Sequence, residues 1–219
     1  MTTLYIIRHG YSVGNAEQKF SGRTDFPLTE EGRVQAERTA AFLKSTPLDV
    51  LVSSPLCRAR ETAAPIAKSH GLEIVTEPDL AEICLGKLDG MPIADAKALY
   101  PEVMATWYDR LIDAVLPDGE SVRDCAARAV RVLHKILDTY KDKRVCVVSH
   151  GALIKFMFAH IKGIPFDEMD SVSYVNNASV SAFVYDGEKF EILYENKCDQ
   201  MGDLVTGVPR ALTSSADTE

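Results

Sequence analysis

The chain alternates short, wholly apolar runs with longer stretches of helical periodicity. Leu4-Tyr5-Ile6-Ile7 is apolar throughout and stops abruptly at Arg8-His9-Gly10. Val50-Leu51-Val52 stops at Ser53-Ser54-Pro55, and Val145-Cys146-Val147-Val148 stops at Ser149-His150-Gly151. Uninterrupted β-prone runs of this length suit strands buried on both faces, as in a parallel sheet covered by helices. A further short strand is expected from Glu73 to Thr76. Between the runs, Ala36, Ala40 and Leu43 share one helical face. Val122, Cys125, Ala129, Leu133, Ile136 and Tyr140 step by three or four, an amphipathic helix opened by a Ser121-x-x-Asp124 capping box.

The period changes toward the C-terminus. Val180 to Tyr185, then Asp186-Gly187, then Phe190 to Tyr194 predict an antiparallel hairpin. From residue 203 to 219 the chain turns polar and small, which predicts a mobile tail. Residues 1–202 therefore form a single α/β domain with a mostly parallel sheet. Ile93 to Leu116 (residues 93–116) is the expected excursion, a small helical cap beside the site. Its Tyr100, Trp107 and Tyr108 fit either a substrate with ring character or plain core packing.

Composition adds limits. The 219 residues, 46% apolar and 26% charged, suit one sizeable domain. With 24 Lys and Arg against 32 Asp and Glu, the net charge is −8. Such a surface repels nucleic acid and anionic membranes, so any bound anion must be caught by a local basic cluster. No apolar run is long enough to span a membrane, and Met1-Thr2-Thr3-Leu4-Tyr5 lacks the regions of a signal peptide. The five cysteines are scattered and never fall as CxxC, which implies free thiols in a reducing compartment. A soluble, cytoplasmic protein is expected, with a homodimer allowed.

In open α/β sheets, ligands bind beyond the carboxyl ends of the strands. That rule gathers Arg8 and His9 from the first strand, Arg58 just past the second and His150 from a third. Gly10 and Gly151 follow the two histidines and let backbone N–H groups approach a ligand. A helix opening at Gly151 would aim its positive end the same way. Guanidinium forks match phosphate oxygens, and fixed positive charge stabilises a phosphoryl transition state. A neutral imidazole can attack phosphorus, provided its other ring nitrogen donates to a carbonyl or carboxylate. A second, protonated histidine would clamp the non-bridging oxygens. The leaving alkoxide needs a proton, for which Glu82 is the candidate.

His70, His134 and His160 read as structural, and Arg60 as a partner of Glu61 or of solvent. Cys125-x5-Arg131 has the spacing of a cysteine-dependent phosphatase loop, but it lies inside the amphipathic helix without a glycine to form an anion cradle. No HExxH, HxH or Walker-type GxxxxGK[ST] occurs, so neither a metal nor a cofactor is expected.

Taken in order, these residues make the chain resemble the histidine phosphatase superfamily, which includes the cofactor-dependent phosphoglycerate mutases. The resemblance begins at Arg8-His9-Gly10-Tyr11-Ser12-Val13-Gly14-Asn15. It continues through Ser21-Gly22, Asp25-x-Pro27-Leu28-Thr29, Gly32, Gln35-Ala36 and Ser53-Ser54-Pro55-Leu56-Cys57-Arg58-Ala59. It ends with Leu80-x-Glu82, Gly86, Asp89-Gly90, Gly119-Glu120-Ser121 and Val148-Ser149-His150-Gly151. It implies a three-layer α/β/α sandwich, a phosphorylated His9, a pocket of Arg8, Arg58 and His150, and Glu82 as proton donor. Asn15, Ser21 and Gly22 would add substrate contacts, and no metal would be needed. Tyr11, Glu61 and Lys87-Leu88 depart from the family's usual residues and are expected to line the outer site.

A mutase must also hold the acceptor's second anion, and its branch carries a long insertion after the glutamate. Only about 35 residues separate Glu82 from Pro117-Asp118-Gly119, and that stretch is apolar and acidic. The expected activity is therefore a phosphomonoesterase acting on small phosphorylated metabolites. The alternatives are a bisphosphoglycerate-dependent mutase and a non-catalytic phospho-ligand sensor.

Overall fold

Each apolar run forms a strand whose successive side chains enter two different cores. In the computed structural model, which describes residues 1–207, β1 (Thr2–Arg8) is followed by α1 (Val13–Ala16) and α2 (Glu30–Leu43). Then come β2 (Val50–Ser53), α3 (Cys57–His70), β3 (Ile74–Thr76), α4 (Ile93–Leu99) and α5 (Pro101–Asp109). The chain continues with α6 (Val122–Thr139), β4 (Arg144–Ser149), α7 (Gly151–Ile161), β5 (Val180–Tyr185) and β6 (Phe190–Lys197). The six strands lie in the order β3-β2-β4-β1-β5-β6; the first four are mutually parallel, β5 runs antiparallel to β1, and β6 runs antiparallel to β5.

Leu4, Ile6, Val52, Val145 and Val147 share a core with α6, α7 and the cap. Their neighbours Ile7, Leu51, Cys146 and Val148 pack with Ala40, Leu43, Ala59, Ala63 and Ile66 of α2 and α3. This period-two split, with both halves apolar, produces the three-layer α/β/α sandwich. On α6 the expected stripe is buried from Val122 to Ile136, whereas Tyr140 lies just past the helix and is half-buried; each of Leu133 and Ile136 contributes about 1.5–3 kcal/mol. Ser121 caps α6 by accepting the Asp124 N–H at 3.0 Å. The Asp124 carboxylate takes the Ser121 hydroxyl, so only half of the expected capping box forms.

The register levels the strand ends. Arg8 lies opposite Ser149, and Ser53 opposite Val148. The His9 N–H donates to the Ser149 carbonyl, and the Ser54 N–H to that of Val148, both at 3.0 Å. One rim of the sheet therefore carries His9, Ser54 and His150 side by side.

α4, α5 and a 3₁₀ turn (Leu111–Asp113) form the cap, rooted in the α6–α7 core by Ile93, Ala96, Met104 and Leu111. The hairpin has a longer loop than Asp186-Gly187 alone implies. The Asp186 carboxylate accepts N–H bonds from Glu188 and Lys189, and β6 runs on to Lys197. The tail expected from residue 203 begins against the domain. Gln35 Nε2 donates to the Leu204 carbonyl at 2.7 Å and to Thr206 Oγ1 at 2.8 Å. Residues 208–219 lie outside the described part. No helix among the described residues is long and apolar enough to cross a membrane.

Candidate active site

The levelled rim opens into a cleft of about 600 Å³ including its mouth. Arg8, His9, Asn15, Ser21, Glu82 and Gly151 line it. Arg58 and His150 are wholly buried beside it, at 0% exposure. The His150 ring centroid lies 5.1 Å from that of His9.

His9 Nδ1 sits 2.7 Å from the Gly10 carbonyl oxygen. A carbonyl only accepts, so Nδ1 carries the hydrogen and Nε2 is left bare. Burial, then the charges of Arg58 and Arg8, hold the imidazole well below its ordinary proton affinity, with the Gly10 carbonyl pulling the other way. His9 is thus neutral at pH 7. Its backbone is held as well, since Asn177 Nδ2 donates to the His9 carbonyl at 2.9 Å. The Gly10 N–H donates to Thr62 Oγ1 at 2.9 Å.

The second histidine departs from expectation. Burial, then Arg58, His9 and Arg8, push His150 well below the usual histidine range, so it is neutral here and not a protonated clamp. Its Nε2 lies 2.6 Å from Ser54 Oγ. With the Ser54 hydroxyl donating to Nε2, the hydrogen resides on Nδ1, and a neutral His150 still offers a donor.

Burial pulls Arg8 down to about 10, with Glu82 and Tyr174 pushing back, so it stays charged at neutral pH. Arg8 Nη1 donates to the Val175 carbonyl at 2.7 Å. Arg58, in the first turn of α3, donates to the carbonyls of Thr24, Ser21 and Gly22 at 2.8–3.0 Å. Both side chains keep their Nε in reserve. Arg8 Nε, Arg58 Nε and His150 Nδ1 are three of the five buried side-chain polar atoms that lack a hydrogen-bond partner among the described residues. Buried polar atoms are ordinarily paired, so three together mark a place for an oxyanion.

Glu82 accepts N–H bonds from Ile83 (2.9 Å), Ala152 (3.1 Å) and Leu153 (3.3 Å). The positive end of α7 does face the cleft, but two of its N–H groups already serve this carboxylate. Oε1 uses both lone pairs, on Ile83 and Leu153, whereas Oε2 uses one, on Ala152. Oε2 is therefore the oxygen with room for a transferable proton.

Asn15 Oδ1 accepts from the Ser12 N–H and hydroxyl, leaving its amide nitrogen for a ligand. Gly22 is absent from the cleft wall. It anchors Arg58 through its carbonyl, and a Cβ there would stand 2.6 Å from the Ile83 oxygen. Tyr11, Glu61, Lys87 and Leu88 do not line the cleft. Leu88 is fully buried, Lys87 pairs with Asp118, and Glu61 pairs with Arg33 and not with Arg60. Cys125 is buried on α6 with its thiol pushed far above the usual range by burial, which removes it as a nucleophile. His70 ties the end of α3 to the last carbonyls of α2, while His134 and His160 pair with each other on α6 and α7. Among the described residues, no three His, Cys, Asp or Glu side chains gather as a metal site.

Sequence reasoning missed Ser54, Thr62, Asn177, Phe20, Lys19 and Tyr174. Thr62 lies one helical turn beyond Arg58, and Asn176-Asn177 stands a few residues ahead of β5; both are legible signals. Tyr174 sits in an irregular loop and gave none.

Chemistry that needs a neutral imidazole beside fixed positive charge narrows the class to phosphoryl-transfer enzymes, phosphatases foremost. The chain belongs to the histidine phosphatase superfamily, branch 1, whose model matches residues 4–197. It is 33% identical to the uncharacterized phosphatase PhoE of Bacillus subtilis over 88% of this chain and 93% of that one. It is 34% identical to phosphoglycerate mutase-like protein 4 of Arabidopsis thaliana, over 86% of this chain and 82% of the relative. The solved structure of Bacillus stearothermophilus YhfR superposes with a TM-score of 0.87 at 29% identity, covering 92% of this chain and all of that one. With phosphatases among its relatives and this family's fold, the chain is a phosphatase that takes small phosphate esters.

Proposed function

We propose that this phosphatase hydrolyses small phosphorylated metabolites through a phosphohistidine on His9. The observation that carries the reading is the bare Nε2 of a neutral His9 beside the unpartnered Arg8 Nε, Arg58 Nε and His150 Nδ1. The phosphoryl dianion takes those three donors, and the Asn15 amide with Ser21 and Gly151 at the rim. Nε2 attacks phosphorus in line, the ester P–O bond breaks, and the leaving alkoxide takes a proton from Glu82 Oε2. Water then gives its proton back to Glu82, its oxygen bonds to phosphorus, and the P–N bond breaks to release inorganic phosphate. No step calls for a metal or a cofactor.

Cleft charge favours hydrolysis over phosphoglycerate mutation. Apart from Arg8, the only cation lining the cleft among the described residues is Lys19, whose Nζ is 2.7 Å from Glu17. A mutase must hold a second anion, and little here would hold one. The net charge of −8 supports an enzyme that ignores nucleic acid and anionic membranes, and the five free cysteines support a reducing, cytoplasmic setting. A homodimer is the assembly to test by sedimentation, and residues 1–202 with a cap at 93–116 are the proposed domain.

Acid-labile ³²P should appear on the enzyme during turnover of a labelled ester and vanish in His9→Ala together with hydrolysis. Turnover without label at position 9 would refute the mechanism. Conservation of total ester phosphate from 3-phosphoglycerate, with catalytic bisphosphoglycerate present, would instead establish a mutase.

A further inference from the structure

Away from the phosphoryl end, the cleft wall is built of Phe20, Ile83, Leu85, Trp107 and Tyr174. Two rings among these are only partly buried. Trp107, from the cap, stands edge-on to Phe20 with centroids 5.5 Å apart and planes at 81°. Phe20 itself is 1% exposed, so the indole is braced by a fixed neighbour. Tyr174 borders the start of α7, where a Cβ on Gly151 would stand 3.4 Å from its ring and 3.6 Å from Arg8 Nε. The Lys155 ammonium lies 4.9 Å from the Tyr174 centroid and donates to the Val172 carbonyl at 2.5 Å. Both rings are therefore preorganised, one on the cap and one beside the phosphoryl cradle. A carboxylate, a second phosphate or a polyol entering here would lose water against an apolar wall and would have to draw Lys19 from Glu17.

We propose that the leaving-group half of the cleft receives a flat, uncharged ring between Trp107 and Tyr174, making the substrate a phosphate monoester of a ring-bearing alcohol. The assignment rests on the phosphatase reading above and deepens it. All three cap aromatics pack against the core, but only Trp107 also lines the cleft, so it alone takes this role. Flat rings gain from offset or edge contacts with indole and phenol in a way that open-chain esters do not.

The test compares 2-phenylethyl phosphate with glycerol 3-phosphate and 3-phosphoglycerate. All three are primary esters, so leaving-group acidity does not decide the ranking. Wild-type enzyme should favour the phenylethyl ester in kcat/KM by on the order of tenfold or more. In Trp107→Leu, and separately in Tyr174→Leu, that ratio should fall about tenfold, mainly through KM, in protein shown by its melting curve to be folded. An unchanged ratio in both folded variants, or preference for 3-phosphoglycerate in the wild type, would overturn the ring assignment while leaving the phosphatase standing. Hydrolysis of none of the three esters, with no label taken up at His9, would instead bring down the phosphatase reading and the ring assignment with it.

Discussion

At the residue scale, the site depends on two histidines that are neutral for an electrostatic reason. His9 and His150 are buried among guanidinium groups, and burial and positive charge both oppose a further proton. The consequence is a pH dependence of stability. In the unfolded chain each imidazole binds a proton below about pH 6.5, whereas in the folded chain each resists it. Where the unfolded state binds more protons, stability rises with pH, so stability is full above about pH 6.5 and falls as the pH drops. Each histidine contributes a slope of about 1.4 kcal/mol per pH unit below that point, continuing down to its folded value. Urea denaturation at pH 7.0, 6.0 and 5.5 should show this loss, and His9→Gln should remove one proton's share of it. Parallel pH profiles for the wild type and His9→Gln would mean that His9 is not held neutral. Function and acid sensitivity share one origin here, because the charges that would grip a phosphoryl group also suppress the proton that would disable Nε2.

At the element scale, the loop that carries Glu82 is clamped by a helix. Arg128, on α6, donates to the Asp79 and Ala81 carbonyls at 2.7 Å each and to that of Glu82 at 3.4 Å. Its Nε and Nη2 take the two oxygens of Glu120 at 2.8 and 2.7 Å. Arg128→Met keeps the stem but strands the half-buried Glu120 carboxylate, which retains only the Cys84 N–H, together with three carbonyls, at a cost of about 1–3 kcal/mol. Hydrolysis of alkyl phosphates should fall more than that of para-nitrophenyl phosphate, whose leaving group needs little help from an acid. Arg128→Lys keeps the charge but not the planar fork and should recover only part of both losses. Equal loss on both esters in a folded Arg128→Met would show that the clamp does not position the proton donor. The stripe that buries α6 was plain from its spacing, yet nothing in that spacing marked Arg128 as a clamp. A charged residue in mid-helix ordinarily faces water, and its carbonyl partners lie more than 45 residues away in the chain.

At the scale of the whole molecule, the legible and illegible parts of the site differ by how local their causes are. Strand runs ending at Arg8-His9 and His150 were readable because burial on both faces leaves an unbroken apolar signature, and the parallel register then sets those ends side by side. The charge state of His150 was not readable, since it depends on Arg58, His9 and Arg8 arriving from separate segments. The cleft wall was half readable, with Trp107 visible as an aromatic of the cap and Tyr174 hidden in an irregular loop. The same lesson covers the C-terminal residues, where polar composition gave no sign of a structural task. Gln35 Oε1 accepts the Tyr11 N–H at 2.7 Å while its Nε2 holds Leu204 and Thr206. The Asn177 N–H in turn donates to the Thr206 carbonyl at 2.7 Å, and Asn177 holds the His9 carbonyl. Two buried amides, Gln35 and Asn177, thus link the last described residues to the His9 carbonyl and to the Tyr11 N–H just after the nucleophile. Gln35→Leu has nearly the same volume but leaves the half-buried Tyr11 N–H and Leu204 carbonyl without partners, at about 1 kcal/mol for each. Because the strain falls on the backbone of His9 and not on Glu82, kcat should drop by a similar factor for alkyl and aryl phosphates. Thermal unfolding together with kcat for both ester types would check this; a stability loss with full activity on both would show that the C-terminal segment braces the fold alone.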